Sequence, residues 1–210
     1  MTPHPKDMSD ELIETITRLD KVCELVHLPI QSGDNTVLMD MNRHYTREHY
    51  LDLIEKIRKG FQKNKPDNIF ALSSDIIVGF PGETKSQLEK TALVMRKVGY
   101  DMVYFGQFSP RPETAAWKLK DNVSKAEKEN REKYLNEILI RTALKNNKKY
   151  LGKVFDVMVE NEKDGNYFGK TRTFKNVLVK SHQKKLVGKI IPVRITRVAA
   201  WNLEGETYEE

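Results

Sequence analysis

A chain of 210 residues can hold one large or two small domains, and 39% hydrophobic residues with a mean hydropathy of −0.62 describe an ordinary globular protein. No apolar run approaches the roughly 18 residues a membrane span needs, and Met1–Pro5 lacks the charged start and apolar stretch of a signal peptide, so the expected setting is the cytoplasm with no membrane partner. The single cysteine, Cys23, excludes an internal disulfide and a multi-cysteine metal site built from this chain alone; its expected role is that of a small buried apolar residue. The net charge of +6 is unevenly spread: residues 145–200 carry 14 Lys and Arg against 4 Asp and Glu, whereas residues 1–144 carry 22 of each. Such concentration points to a polyanion partner.

Along the chain, 24–30 is a short, largely apolar run ending at Pro29 and the turn-like Gln31-Ser32-Gly33-Asp34, as a buried strand would. Tyr50, Leu53, Ile54, Ile57 and Phe61 recur at spacings of three and four, which predicts a helix with one apolar stripe stopping near Pro66. Residues 69–78 read as a second strand, covered on both faces because Ile76, Ile77 and Val78 are consecutive and β-branched. After Gly79-Phe80-Pro81-Gly82, Thr84 and Gln87 have capping-box spacing, and Leu88, Ala92, Met95 and Gly99 share one face of a helix over 84–98. Residues 102–108 are a third strand. Strand, helix, strand, helix, strand with long connections predicts a parallel α/β sheet.

Ser124 and Glu127 open a charged connecting helix to about Tyr150, with Leu135, Ile138, Leu139 and Thr142 as a thin apolar stripe. From Lys153 the texture changes to short strands at 153–160, 167–173, 177–180 and 189–198, with turns at Asp164-Gly165-Asn166 and Gly188. They predict a small all-β barrel of OB-fold size, so the expected domains are 1–145 and 146–210.

His27-Leu28-Pro29-Ile30-Gln31-Ser32-Gly33, Met41-Asn42-Arg43-His44-Tyr45, Ser74 through Thr84 and Ser109-Pro110-Arg111-Pro112 occur in the order of, and resemble, the methylthiotransferase branch of the radical-SAM superfamily. Thr2–Met8 looks like the segment leaving that family's third barrel strand, and Gly169-Lys170-Thr171-Arg172-Thr173 is similar to its RNA-binding TRAM domain. The Ser-Pro-Arg-Pro tetrapeptide resembles the tRNA-modifying members more than those acting on a ribosomal protein. Glu113 stands where that motif usually has glycine.

The resemblance implies the C-terminal half of a radical-SAM (βα) barrel followed by a TRAM domain. It also implies S-adenosylmethionine near Gln31, Ser32, Asp75, Ile77, Gly79 and Glu83, at the strand ends where α/β barrels carry their chemistry. Read from the residues, Gln31 and Ser32 either meet a nucleoside or cap a strand. Asp75, Ile77 and Gly79 alternate onto one face, where Gly79 leaves room for an adenine. Glu83 leads into a helix N-terminus that holds an anion, or occupies that dipole itself. His27, His44 and His49 lack metal-ligand spacing and suit polar or capping roles.

The 4Fe-4S clusters of the family need cysteines this chain does not have, so the expectation is a chain that begins mid-barrel, completed by a missing N-terminal half or a partner chain. The complete protein would add a methylthio group to isopentenylated adenosine beside the anticodon. The RNA grip on the tRNA anticodon stem-loop is expected from Arg111, Lys170, Arg172, Lys175, Arg194 and Arg197, with Phe174 and Tyr167 either stacking on an unpaired base or filling the core. The rival readings are an RNA-binding adaptor without catalysis and a methylthiotransferase acting on a ribosomal protein.

Overall fold

The computed structural model describes residues 3–110, 112–113 and 115–208. They form two compact units. The first comprises Met1–Val22, Val26–Asn68 and Leu72–Leu139; the second comprises Cys23–Leu25, Ile69–Ala71 and Ile140–Glu210.

In the first unit, helix α1 (Asp10–Arg18) precedes strand β1 (Leu25–His27), then come α2 (Asn35–Asp40), α3 (Arg47–Asn64), β2 (Ala71–Val78), α4 (Lys85–Val98) and β3 (Met102–Gln107). The sheet order is β1-β2-β3, and β2 and β3 run parallel from Ser73 opposite Met102 to Val78 opposite Gln107. The expected stripe of α3, from Tyr50 to Phe61, is buried throughout. Helix α4 has the reciprocal Thr84–Gln87 capping box and ends at Gly99 in the left-handed region, which releases the chain into β3.

Three expectations need correction here. Helices α1 and α2 were not anticipated from periodicity, since both are short; their caps, Ser9 and Asp34, are the local signals that mark them. Strand β2 is not covered on both faces along its length: Ile76 and Val78 are buried, whereas Asp75 and Ile77 are half-buried on the opposite face. Cys23 is exposed, and its neighbour Glu24 is the buried residue.

Helix α5 (Lys125–Asn147) begins at Ser124, whose hydroxyl accepts the Glu127 N–H at 3.2 Å, and the boundary between the units falls within it. In the second unit β4 (Val154–Lys163), β5 (Asn166–Thr171), β6 (Asn176–Lys180), β7 (Ile190–Val198) and β8 (Asn202–Thr207) close into a barrel of order β4-β5-β6-β8-β7. All pairings are antiparallel except β6 with β8. The inward positions Val157, Val159, Tyr167, Val177, Val179, Val193, Ile195 and Leu203 fill the interior with Tyr150 and Leu186. Strand β8 escaped the sequence pattern because its inward positions are Leu203 and Gly205, a single apolar side chain, amid polar neighbours.

Candidate functional site

In the first unit the C-terminal end of β1 is held from behind by three tyrosines. Tyr50 donates to the Leu28 carbonyl at 2.9 Å and shares a 2.7 Å bond with the Tyr100 hydroxyl; Tyr45 donates to the Ile30 carbonyl at 2.9 Å and to that of Pro29 at 3.2 Å. Burial raises all three phenols, Tyr45 to about 12, so each stays a protonated donor.

Beyond that anchor Gln31 adopts φ +68°, in the left-handed region, while its N–H donates to the Asp75 carbonyl and its own carbonyl accepts from Ile77. A non-glycine residue there stores backbone strain at the strand end. The chain then turns so tightly that a Cβ on Gly33 would lie 2.5 Å from the Thr91 Cα of α4, and the Gly33 N–H donates to the Thr91 hydroxyl at 2.8 Å. Ser32 is wholly buried, and its hydroxyl accepts the Asp34 N–H at 3.3 Å. The Asp34 carboxylate caps α2 through Thr36 and Val37 and takes Lys90 at 2.6 Å and Gln87 at 3.0 Å from α4. Burial opposes its ionisation, but the hydrogen bonds from Lys90, Val37 and Gln87 outweigh burial and hold its carboxyl below the ordinary range.

The expected alternation on β2 gathers a polar face. His27 Nδ1 lies 2.9 Å from the Ser73 hydroxyl and its Nε2 3.4 Å from the Asp75 carboxylate, which is 39% exposed. Tyr104 stands opposite Asp75 on β3, edge-on to His27 and 61% exposed. The structure therefore brings Gln31, Asp75 and Ile77 together and adds His27 and Tyr104.

Gly79 and Glu83 are both engaged within the protein. Gly79 has φ +69°, and the position of its missing Cβ is taken by the Lys128 stem of α5, so the room beside it is filled rather than open. The Lys128 ammonium is itself held by Asp121 at 2.6 Å and the Phe108 carbonyl at 2.8 Å. The Glu83 carboxylate is 1% exposed; it accepts the Gly79 N–H at 2.9 Å and Arg131 at 2.8 Å, and burial raises its pKa against those bonds. It locks the turn into α4 instead of facing a ligand. Glu113 does take a glycine-like φ of +65°.

Arg43 lies within the Met41–Tyr45 motif but has no role in the sequence reading. Its Nε is buried with no hydrogen-bond partner, two residues before the anchored Tyr45. Burial and the neighbouring Arg43 charge hold the His4 imidazole below its ordinary pKa. A buried guanidinium nitrogen without an acceptor is costly and suits a carboxylate or phosphate. With Gln31 and Asp75 as polar groups for a ribose, the donor set fits S-adenosylmethionine. It does not fit an iron–sulfur cluster: the sequence has one cysteine, and among the described residues no group of three or more His, Cys, Asp and Glu is placed to hold a metal.

On the barrel, the expected cations are more engaged than charge alone suggests. Within the second unit Arg172 forks onto Glu24 at 2.8 and 3.1 Å, and that bond, opposed by burial, raises its pKa. Lys170 pairs with Glu160 at 3.1 Å and sits 5.0 Å from the Phe174 ring centre. Arg194 lies over the Tyr208 ring, and Arg197 is 3.7 Å from Glu204. Lys175 is half-buried in the β5–β6 turn, and Arg111 lies outside the described residues. Tyr167 belongs to the core, whereas Phe174 is 60% exposed. Lys180, Lys184, Lys185 and Lys189, not singled out before, are exposed in and around the β6–β7 loop, where the Lys-Lys pair was their visible signal. Among the described residues no helix is long and apolar enough to cross a membrane.

Comparison with known proteins gives two family matches, the Radical SAM superfamily over residues 1–95 and the TRAM domain over residues 148–207. The chain is 42% identical over 209 residues to a tRNA-2-methylthio-N(6)-dimethylallyladenosine synthase of Finegoldia magna, covering 98% of this chain and 44% of that protein. It is 41% identical over 212 residues to the Bacillus cereus protein of the same name, of which it covers 40%. The chain thus spans less than half the length of these relatives. Among solved structures, coproporphyrinogen III oxidase from Escherichia coli, described as a Radical SAM enzyme, superposes with a TM-score of 0.54 at 13% identity over 94% of this chain and 46% of its own.

Proposed function

Since the chain belongs to the radical-SAM methylthiotransferase family and matches a C-terminal portion of it, we propose that it supplies part of the cofactor pocket and the RNA grip of a cytoplasmic tRNA methylthiotransferase. The substrate proposed is N6-dimethylallyladenosine beside the anticodon, and the whole protein inserts sulfur and a methyl group at a carbon of that base. Bound S-adenosylmethionine supplies the transferred methyl group and the radical precursor. This chain's residues bind and orient it: Arg43 takes the carboxylate, Gln31 and Asp75 take the ribose hydroxyls with His27 fixing the Asp75 carboxylate, and Ile77 packs against the adenine. Ser32, Gly79 and Glu83 shape the strand ends from within. The TRAM barrel holds the anticodon stem-loop through its basic surface.

The observation that carries this reading is the buried Arg43 Nε without a hydrogen-bond partner, two residues before Tyr45, whose hydroxyl anchors the Ile30 carbonyl next to the strained Gln31. Calorimetric titration of the full chain with S-adenosylhomocysteine, alongside a stem-loop RNA titration at several salt concentrations, tests both halves. Arg43→Gln is expected to weaken the nucleoside ligand at least about tenfold, the loss of one charge-assisted bond, and to leave RNA affinity unchanged. Lys184→Ala with Lys185→Ala is expected to lower the salt exponent by roughly 1.4 and spare the nucleoside. Nucleoside affinity indifferent to Arg43, or RNA affinity indifferent to salt, overturns the corresponding half.

A further inference from the structure

The β5–β6 turn is pinned at almost every residue. The Thr171 N–H donates to the Lys175 carbonyl at 3.1 Å, and the Lys175 N–H donates to the Thr171 hydroxyl at 3.1 Å. The Phe174 N–H donates to the Thr171 carbonyl at 2.9 Å. The buried hydroxyls of Thr171 and Thr173 lie 2.8 Å apart, and the buried Tyr150 hydroxyl donates to Thr173 at 2.7 Å. Arg172 is clamped on Glu24. A turn tied in this way has little freedom left.

At its tip Phe174 has φ +64° and a ring 60% exposed to solvent. Both features work against folding: the left-handed region disfavours a bulky L-residue, and the exposed ring gains little burial. Asparagine or glycine would satisfy this turn better. The tip therefore holds an aromatic face outward on a rigid mount. Lys170 lies 5.0 Å from the ring centre, and Phe168, on the same outward face of β5, is 38% exposed. The segment is basic in sequence, with 14 Lys and Arg against 4 Asp and Glu between residues 145 and 200.

We propose that Phe174 is a preformed stacking platform for an unpaired nucleobase of the bound RNA, with Lys170 beside it near the adjoining phosphate. The inference rests on the reading of the barrel as the RNA-binding unit and deepens it from charge to a specific contact. Stacking recognises any base with a free face, so it selects single-stranded loop over duplex while remaining tolerant of sequence. A rigid mount keeps the ordering cost of binding low.

The test uses the full chain, a stem-loop RNA with an unpaired loop, and a duplex of the same stem. Phe174→Asn is expected to melt at the same or a higher temperature, to bind the loop RNA at least about fivefold more weakly, and to leave duplex affinity and the salt exponent unchanged. Phe174→Trp is expected to bind as the parent does, with its fluorescence quenched on adding the loop RNA. Equal binding by Phe174→Asn and the parent, or no quenching in Phe174→Trp, overturns the stacking platform while the salt-dependent affinity of the parent stands. A parent chain that binds neither RNA overturns the RNA-binding reading beneath it.

Discussion

At the scale of single residues, the same chemistry serves different ends according to what a side chain touches. Arg172 looks like a phosphate ligand in a basic segment, yet its fork is filled by the buried Glu24 carboxylate, whose side chain is 4% exposed. Removing the arginine therefore does more than subtract a surface charge. Arg172→Ala strips that carboxylate of a bidentate partner and is expected to cost about 1–3 kcal/mol of stability, where Lys184→Ala changes stability within about 0.5 kcal/mol. Urea denaturation of the two variants checks the contrast, and equal midpoints would mean that Glu24 is satisfied without Arg172. Loss of RNA binding in an Arg172 variant is accordingly ambiguous, which is why the loop lysines are the better probes. Arg43 presents the opposite case, a charged group whose buried Nε lacks an acceptor within the described protein.

At the scale of elements, the strand ends are set by helices reaching over them. Asp34 joins the short α2 to α4 through its bonds to Thr36, Val37, Gln87 and Lys90, and Gly33 allows the two backbones to meet. Asp34→Asn retains a helix cap but loses the ionic bond to Lys90, with an expected cost of about 1–3 kcal/mol at neutral pH. The pH dependence has a definite sign. The folded pKa of Asp34 is lowered, so its contribution is full above the unfolded carboxylate value of about 3.9 and is lost as pH falls through the lower folded value. The stability gap between parent and variant should stay constant from neutral pH to roughly pH 4 and close below it. A gap that closes near pH 6 would assign the effect to another group. Glu83 has a raised pKa and the opposite slope: its ionised form is disfavoured by burial and relieved as the medium is acidified.

At the scale of the whole molecule, the two units solve the edge problem differently. The barrel closes on itself, so every strand has two neighbours, whereas the first unit's sheet has β1 and β3 at its edges. Hydrogen exchange is expected to be slowest in the inward-packed strands β4, β5 and β7 and faster at the outer edge of β3, where Tyr104 and Gly106 are exposed. Edge amides of β3 as protected as those of the barrel in a monomeric sample would show that something else covers that strand.

How far the sequence reaches depends on the range of the interaction behind each feature. The α3 stripe, the α4 capping box, the parallel β2–β3 pair and most barrel strands follow from spacings and caps within a few residues, and ordered motifs such as Gln31-Ser32-Gly33 and Gly79 through Glu83 mark the turns at the strand ends. Such signals are local, and a chain carries them before it folds. What each marked residue does was decided by partners far along the chain: Lys128 fills the space beside Gly79, Arg131 claims Glu83, Glu24 claims Arg172, and Tyr167 turns inward while Phe174 turns out. Closure with β8, whose pattern holds one inward apolar side chain, likewise depends on β6 and β7 as neighbours. Residue type and spacing determine which groups are available, whereas burial and pairing across 48 or 148 positions determine which of them remain open to a ligand.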